Sequence, residues 1–273
     1  MATIVILEHL LQKGIGASYM LHAFAARWHA TGHRVIVHHG PGEPPAGDVA
    51  VLHLDLTVIP DDYRRLIGRY RRVVNGAVLD ISKRRISAHL LHPQSDWAGQ
   101  VIVKTDANAG GQPEHALFQR GQALGLPNTI PHGLALGHYT VLGRLLDVPQ
   151  EIWETPSFVV EKFLPERDER GYYIRVWNFF GDRERSSRSR ADDPIIKSHN
   201  AVERQTVPVP DELRAWRARL GFDFGKFDYV IHHGMPVLLD ANRTPSLPIG
   251  LAEDAKRAAG VLSLADGIAA FLR

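Results

Sequence analysis

The sequence predicts an α/β protein built from parallel strands and the helices that cover them. Apolar runs at residues 3–7 and 34–39 have the length and composition of buried strands. Residues 18–31, between these runs, present an apolar face at helical spacing, so the chain opens with a strand-helix-strand unit. The composition, 44% hydrophobic and 23% charged over 273 residues, is typical of a globular protein that buries a core.

The same alternation continues beyond this unit. An apolar run at 49–54, a helix after Pro60 and a short strand at 73–75 extend it. Alternating strands and helices are expected of a parallel sheet with helices on its faces. We therefore predict a first domain at residues 1–92.

The next residues predict a small central lobe at 93–164. A strand at 101–104 leads through a glycine-containing loop into a helix near 114–124. An apolar strand at 157–164 ends the lobe.

The remaining residues, 165–273, predict a larger C-terminal lobe. Alternating segments at 172–180 and 227–239 indicate strands, and two helices close the chain. Between the strands lies the arginine-rich stretch DRERSSRSRADD at 182–193, which we interpret as a solvated basic turn. Contact with RNA is the alternative, but no aromatic platform accompanies the stretch, and an acidic substrate explains it better.

Composition narrows the classes of function. The chain has no cysteine, which excludes disulfides, thiolate catalysis and cysteine-ligated zinc. Its formal net charge is only +2, so we expect no nucleic-acid partner. No signal-like segment and no run of about 18 apolar residues occurs, and we expect a cytoplasmic protein without a membrane partner. A homodimer stays open, because the sequence does not reveal the oligomeric state.

The most informative segment is GKFDYVIHHGMPVLLDANRTPSLP, which predicts a hairpin that turns at His233 and Gly234. Asp240 and Asn242 lie two residues apart on the returning strand and share a face, and Asp228 can meet them across the hairpin. Two carboxylates and an amide oxygen form a hard-oxygen site that suits Mg²⁺. Ordinary solvated acids are the alternative, but the apolar neighbours of Asp240 imply partial burial.

A second segment, VIVKTDANAGGQPE, places Lys104 at a strand end before Gly110 and Gly111. Backbone amides in a flexible glycine loop can hold phosphate oxygens, and a lysine adds a charge-assisted contact. A lysine before such a loop is, taken alone, more often a simple strand end.

A third segment, SFVVEKFLPERDERGYYIRVW, carries Glu161 on an apolar strand and Arg175 on the next strand. Backbone groups near Glu161 can pair with an adenine edge, an acid in the turn can hold ribose hydroxyls, and Arg175 can face a transferring phosphate. An amphipathic hairpin is the alternative.

These three segments, in this order, resemble the ATP-grasp superfamily of carboxylate-amine ligases. EKFL looks like the adenine hinge of the D-alanyl-D-alanine ligases, and KFDYVI followed by LLDANRTP looks like the superfamily's metal hairpin. Ligases that add glutamate to a ribosomal protein are similar as well. The resemblance covers residues 83–273 and implies a Rossmann-like pre-ATP-grasp domain followed by a two-lobed ATP-grasp domain, with the nucleotide between β-sheets.

The resemblance also implies roles for individual residues. It implies metal ligation by Asp228, Asp240 and Asn242, although the superfamily usually has glutamate where this chain has Asp240. The residues that the resemblance places around the nucleotide are Lys83, Lys104, Gly110, Gly111, Glu161, Lys162, Phe163, Asp168 and Lys197. For the ribose, Glu166 and Glu169 compete with Asp168. Arg175 and Lys104 would be catalytic.

The activity that the resemblance implies is ATP- and Mg²⁺-dependent ligation. The γ-phosphate of ATP would activate a small-molecule carboxylate as an acyl phosphate, and an amine would attack it. Two alternatives keep the same ATP residues: a phosphotransferase, and a nucleotide-binding protein without turnover.

Two further patterns predict other sites less well. Gly14 and Gly16 follow the first strand, but Tyr19 stands at the third glycine position of a dinucleotide fingerprint. We expect this turn to help form the pocket of the carboxylate substrate. The chain's 15 histidines include two adjacent pairs, yet no spacing matches a zinc helix motif, so we expect surface or turn histidines.

Overall fold

The computed structural model describes residues 1–14, 18–126, 130, 139–197, 199–248, 250–251 and 254–272. The strands are β1 Thr3–Glu8, β2 Arg34–His39, β3 Val49–Leu52, β4 Val73–Val74, β5 Val101–Thr105, β6 Thr140–Leu142, β7 Phe158–Lys162, β8 Glu166–Asp168, β9 Gly171–Phe180, β10 Arg183–Ala191, β11 Glu203–Thr206, β12 Phe224–His232 and β13 Met235–Asn242. The α-helices are α1 Met20–Ala30, α2 Asp61–Ile67, α3 Lys83–Ile86, α4 Gln112–Ala123, α5 Gln150–Glu154, α6 Asp211–Leu220 and α7 Ala255–Leu262. 3₁₀ helices lie at Leu10–Gln12, Asn108–Gly111, Leu145–Asp147 and Ser263–Phe271.

The N-terminal sheet is parallel and has the strand order β2-β1-β3-β4 among the described residues. Helix α1 connects β1 to β2 and buries Met20, Leu21, Phe24 and Trp28, which recur at helical spacing. The alternation of strands and helices confirms the predicted α/β class. The Rossmann-like character of this domain stays a prediction.

The central lobe contains an antiparallel sheet with the order β6-β5-β7. Val101, Val103 and Val160 form its apolar core together with Leu91 and Leu145. Helix α4 follows β5 through the 3₁₀ turn Asn108–Gly111.

The large C-terminal sheet has the strand order β11-β10-β9-β12-β13, and β8 pairs with β9. Strands β12 and β13 form a hairpin whose two turn residues, His233 and Gly234, have φ angles of 49° and 80°. Positive φ at both positions is typical of a two-residue type I′ turn, which matches the twist of paired strands. The hairpin predicted from the sequence is therefore present.

The arginine-rich stretch is a strand, which corrects its interpretation as a solvated turn. It forms β10, paired with β9 on one side and with β11 on the other. Ser186, Ser189 and Ala191 are buried, whereas Arg183 and Glu184 are exposed. Small residues among the arginines allow part of the strand to pack against its neighbours, while the long arginine side chains extend past them.

One hydrophobic core joins the N-terminal domain to the large sheet. Phe24 and Trp28 of α1 pack against Phe180 of β9 and Phe224 of β12. The indole nitrogen of Trp28 also donates to the carbonyl of Ala265, at 2.8 Å. The three sheets fall within residues 1–92, 93–164 and 165–273, and this division into domains stays a prediction. None of the described helices has the length and apolarity needed to cross a membrane.

Candidate functional site

The β12–β13 hairpin places two carboxylates directly opposite each other. Asp228 pairs in register with Asp240, and Lys226 pairs with Asn242. The side chains of Phe227 and of its pairing partner, Ala241, face the hydrophobic core. Because side chains alternate along a strand, the four polar residues occupy the other face. This is the arrangement that the sequence pattern predicts for the two acids and the asparagine.

Two lysines neutralise the acids, one from a buried position and the other from a partly exposed one. Nζ of Lys83, at the start of α3, donates to Oδ1 of Asp240 at 2.8 Å. Nζ of Lys226 lies 2.9 Å from Oδ2 of Asp228. Lys83 is 1% exposed, and a buried ammonium requires such a partner.

Strands β5 and β7 of the central lobe add a third ion pair, between Lys104 and Glu161, with 2.6 Å between Nζ and Oε2. The ring of Tyr139 lies 5.8 Å from Nζ of Lys104 and of Lys197. Asp240 and Lys83 influence the Tyr139 hydroxyl electrostatically. The structure therefore brings Lys83, Lys104 and Lys197 to one region together with the hairpin acids.

The pKa values of the two acids move in opposite directions. Burial raises the pKa of Asp228, and Lys226 offsets only part of this effect. Burial alone would also raise the pKa of Asp240, but the attraction of Lys83 outweighs it and the pKa falls. Burial opposes the charge on Lys83 as well, yet Asp240 raises the pKa of that lysine.

The unused oxygen of Asp228 fits a cation. Its Oδ1 is buried and has no hydrogen-bond partner among the described residues. A buried carboxylate oxygen without a donor is unfavourable unless a cation or water contacts it. Asp228, Asp240 and Asn242 offer hard oxygen atoms, which are the ligands that Mg²⁺ prefers.

The predicted adenine hinge follows β7. The amide of Lys162 donates to His89 at 3.0 Å, and the amide of Phe163 donates to Gln100 at 2.9 Å, so both are already engaged. The Lys162 ammonium lies 4.7 Å from the ring centroid of Trp97. A cavity of about 550 Å³ opens beside the hinge, lined by residues of the central lobe, of β9 and of the hairpin end, among them Trp97, Val141, Phe163, Tyr172, Ile231 and His232.

Arg175 forms a fork with Glu166, with 2.8 Å from Nε to Oε2 and 2.8 Å from Nη2 to Oε1. Glu166 also accepts from the amide of Ile231, at 2.8 Å, and lies 3.0 Å from Nε of Arg188. Asp168, predicted to hold the ribose, is exposed and accepts from Tyr173 Oη at 2.8 Å. Glu166 is therefore the partner of Arg175 in this structure, and contact of Arg175 with a phosphate stays a prediction.

The glycine loop is more tightly held than the flexible loop that its composition suggests. Asn108, Gly110 and Gly111 are buried in a tight turn, and the two glycines have left-handed φ angles of 71° and 79°. The amide of Asn108 donates to the Thr57 hydroxyl at 2.8 Å. Tertiary contact with the N-terminal domain therefore orders a loop that the sequence alone predicts to be flexible.

A chain of polar contacts links the hairpin to the N-terminal domain. Oδ1 of Asn242 accepts from the amide of Thr244 at 2.8 Å, and the Thr244 hydroxyl donates to Oδ1 of Asp55 at 2.5 Å. Oδ2 of Asp55 accepts from Tyr19 Oη at 2.7 Å. Arg243, next to Asn242, is completely buried and donates to backbone carbonyls of the N-terminal domain.

Several histidines contradict the expectation of surface or turn positions. His53 is completely buried, and His9 is 5% exposed. Burial lowers the pKa of His9 to about 4. Each lies just after a strand of the parallel sheet, and sequence spacing does not show that strand ends converge. Gly16 of the predicted glycine turn lies outside the described residues.

Sequence reasoning missed Lys226 and Tyr139. For Lys226 a signal existed, because it precedes Asp228 by two residues on the same strand and therefore shares its face. For Tyr139 the sequence carries no comparable signal, since its approach to Lys104 depends on how the central lobe folds.

No family model matches the sequence, and a comparison with curated proteins finds no match. Solved structures do resemble the chain. The ATP-grasp ligase PsnB, in complex with a phosphomimetic variant of its minimal precursor, Mg and ADP, gives a TM-score of 0.57 at 15% identity, over 99% of this chain and 98% of that chain.

Two further structures agree in fold. A RiPP-associated ATP-grasp ligase from Chryseobacterium gregarium, in complex with ADP and a leader and core peptide, gives a TM-score of 0.56 at 9% identity, over 97% of this chain and 96% of that chain. A RimK domain ATP-grasp protein from Sphaerobacter thermophilus gives 0.52 at 14% identity, over 98% of this chain and all (100%) of that chain. With several sheets, a mixed α/β architecture and these neighbours over nearly its whole length, the chain has the ATP-grasp fold.

Proposed function

We propose that this protein is an ATP- and Mg²⁺-dependent ligase that joins a carboxylate to an amine and releases ADP. The observation that carries the proposal is the partly buried pair Asp228 and Asp240, in register on the hairpin and close to the positive charges of Lys83, Lys226 and Lys104. A solvated hairpin would need no such set of opposed charges shielded from water. A triphosphate with its cation supplies charges of both signs that such a set can bind.

In this proposal the hairpin holds the metal through Asp228, Asp240 and Asn242. Bound Mg²⁺ would neutralise phosphate charge, as it does in phosphoryl transfer generally. Lys83 and Lys104 would contact phosphate oxygens. Lys197 would lie near the same phosphates, because its ammonium and that of Lys104 both approach the ring of Tyr139. The adenine would occupy the cavity beside Phe163, whose lining includes Ile231.

Distance along the hairpin is compatible with a single nucleotide. His232, which also lines the cavity, and Asp228 lie on the same strand, β12, and share a face. At about 3.3 Å per residue, their separation is roughly 13 Å, comparable with the reach of a nucleotide from its base to its phosphates.

The proposed chemistry has two steps. An oxygen of the substrate carboxylate attacks the γ-phosphorus of ATP, the bond to the β-phosphate oxygen breaks, and ADP leaves. The amine then attacks the carbonyl carbon of the acyl phosphate, phosphate leaves, and the amine nitrogen loses a proton. Catalysis would rest on positioning and on charge stabilisation by the lysines, without a protein nucleophile.

Arg175 has a conditional role in this proposal. Its guanidinium is engaged by Glu166, so contact with a transferring phosphate requires that Glu166 share or release it. Glu166 has a second cationic partner in Arg188, which would keep the carboxylate paired if Arg175 turned away. Gly110, Gly111 and Asp168 stay predictions as nucleotide contacts.

Two alternatives use the same ATP residues: a phosphotransferase and an ATP-binding protein without turnover. A hydroxylamine trap separates all three, because only an acyl phosphate yields a hydroxamate. The assay would measure ADP release with pooled carboxylates, each with and without an amine. Short peptides belong in the pool, since one of the similar structures contains a leader and core peptide and another a variant of a minimal precursor. A phosphoester product, or binding of Mg-ATP without release of ADP, would contradict the proposed ligase activity.

Replacement of the metal acid provides a direct test. We expect Asp240→Ala to lower turnover by about 10²- to 10³-fold, equivalent to roughly 3–4 kcal/mol, because a metal ligand and the partner of Lys83 are lost together. The matched control is Asp211→Ala, at an exposed aspartate that begins α6. Circular dichroism would verify that both variants fold. Near-normal ADP release by folded Asp240→Ala would remove the metal assignment.

A further inference from the structure

A second group of titratable side chains lies at the carboxyl ends of the parallel strands, apart from the hairpin. Glu8 ends β1, His39 ends β2, His53 follows β3, and His22 lies on α1. Glu8 is 1% exposed and His53 is completely buried. Open parallel sheets bind ligands at this edge, where strand ends from different parts of the chain converge.

Three imidazoles surround the buried carboxylate of Glu8. Nε2 of His22 lies 2.6 Å from Oε1 of Glu8, and Nδ1 of His53 lies 3.0 Å from the same oxygen. Nε2 of His39 lies 3.2 Å from the other oxygen, Oε2. Donor atoms of Glu8, His22 and His53 all lie within 4.8 Å of one another.

Hydrogen bonds alone account poorly for this group. A buried carboxylate is unfavourable unless a positive charge compensates it, and neutral imidazoles provide none. A divalent cation shared by Glu8, His22 and His53 would supply that charge while the imidazoles stay neutral.

The donor types select the class of cation. Imidazole nitrogens suit Zn²⁺ and its neighbours in the first transition row, whereas Mg²⁺ prefers oxygen. We propose that Glu8, His22 and His53 form a binding site for Zn²⁺ or a similar divalent transition metal. His39 then forms no bond to the metal but orients Glu8, as hydrogen-bonded partners of metal ligands commonly do. Three protein ligands leave a coordination position for water or a donor atom of a small molecule.

This metal would lie at one end of the polar chain that reaches the hairpin. The Tyr19 ring makes edge contacts with the rings of His22 and His53, with 5.9 and 5.0 Å between centroids. Its hydroxyl contacts Asp55, which leads through Thr244 to Asn242. The metal would therefore fix the strand ends that face the candidate nucleotide site. The inference does not depend on the proposed ligase activity.

Cobalt titration of the full-length protein tests the site. After chelator treatment, Co²⁺ is added in the presence of excess Mg²⁺, which competes for the oxygen ligands of the hairpin but not for imidazole. Tetrahedral Co²⁺ absorbs visible light much more strongly than octahedral Co²⁺. We expect one equivalent of strongly absorbing Co²⁺, which Zn²⁺ displaces.

Substitutions distinguish Co²⁺ binding at this group from Co²⁺ binding at the hairpin. His22→Ala should weaken Co²⁺ binding at least about tenfold, whereas His29→Ala, at an exposed histidine on the same helix, should bind as the unaltered protein does. Asp240→Ala should keep the absorption band, because it changes only the hairpin. His22 is used because replacement of completely buried His53 can impair folding. No band, or equal affinity in His22→Ala, would overturn the inference; loss of the band in Asp240→Ala would assign the metal to the hairpin instead.

Discussion

A single buried arginine fixes the strand that carries Asp240 and Asn242. Arg243 follows Asn242 and donates to the carbonyls of Leu56, Thr57 and Val78, which belong to the N-terminal domain. Burial lowers the pKa of Arg243 to about 10, so the side chain stays protonated at neutral pH. Its planar fork reaches several acceptors at once, which a lysine ammonium on a flexible stem does not.

We expect Arg243→Ala to reduce the free energy of unfolding by about 3–5 kcal/mol, because it removes buried hydrogen bonds to three carbonyls, of which that of Thr57 keeps the Ile81 amide as a second donor. Arg243→Lys should recover only part of this loss. Urea denaturation followed by circular dichroism would measure both. Arg65→Ala is the control: this arginine is 75% exposed and should change stability by no more than about 0.5 kcal/mol. Equal stability of Arg243→Ala and the unaltered protein would show that the buried fork is dispensable.

At the scale of elements, the 3₁₀ helix Ser263–Phe271 packs against the turn that connects β9 to β10. A Cβ atom added to Gly267 would lie 1.9 Å from the carbonyl oxygen of Phe180. Backbone cannot move aside as a side-chain end can, so only glycine permits this approach. The close contact explains how the helix packs directly onto the strand turn.

Two glycine substitutions make this testable. Gly267→Ala should lower the free energy of unfolding by at least about 2 kcal/mol, because the new methyl group overlaps backbone. In Gly260→Ala, on α7, the new methyl group would touch only the guanidinium end of Arg185, which can rotate away. The higher helix propensity of alanine offsets the contact that Arg185 then loses. The stability of Gly260→Ala should stay within about 1 kcal/mol of the unaltered protein. Thermal and urea denaturation would compare them, and equal effects of the two substitutions would contradict the packing argument.

At the scale of the whole molecule, the N-terminal domain and the large sheet share a core, whereas the central lobe has its own. Phe24 and Trp28 pack with Phe180 and Phe224, and the cluster around Val103 contains only residues in and beside the central lobe. The side chain of Asn75 reinforces the shared boundary. Its Nδ2 donates to the carbonyl of Phe224 at 2.8 Å, and its Oδ1 accepts from the backbone amides of Asp223 and Phe224 at 3.0 Å each.

Native-state hydrogen exchange should reveal this division. Amides of β1 and β9 should exchange with one common free energy of opening, because the side chains of these strands share a core. Amides of β5 and β7 should exchange independently, with a lower free energy of opening. Asn75→Ala should lower the common value by about 2–4 kcal/mol, since it removes three hydrogen bonds at a position with φ of 60°. The β5 value should not change. A single opening energy for all four strands would contradict the presence of two separate cores.

Short-range patterns in the amino-acid sequence were enough to specify the main elements and the local geometry of the hairpin. Strand β2 spans residues 34–39 as predicted, and the alternation of side chains along a strand already aligned Asp240 with Asn242. Turn chemistry at His233 and Gly234 sets the register at the end of the hairpin, and a β-bulge next to Asp228 shifts the pairing by one residue and brings Asp228 opposite Asp240. The alternation and the turn follow from periodicity and backbone preferences, which are readable within a few residues, whereas the bulge is not.

Which distant side chains meet depends instead on the packing of the folded chain. Lys83 and Asp240 are separated by 157 positions, and Lys104 meets Glu161 across two strands of another sheet. The group of Glu8 and its histidines likewise forms only where parallel strand ends converge. No short-range pattern encodes these contacts, because packing of whole elements sets the distances. The same packing made the arginine-rich stretch a strand, since β9 and β11 satisfy its backbone on both sides.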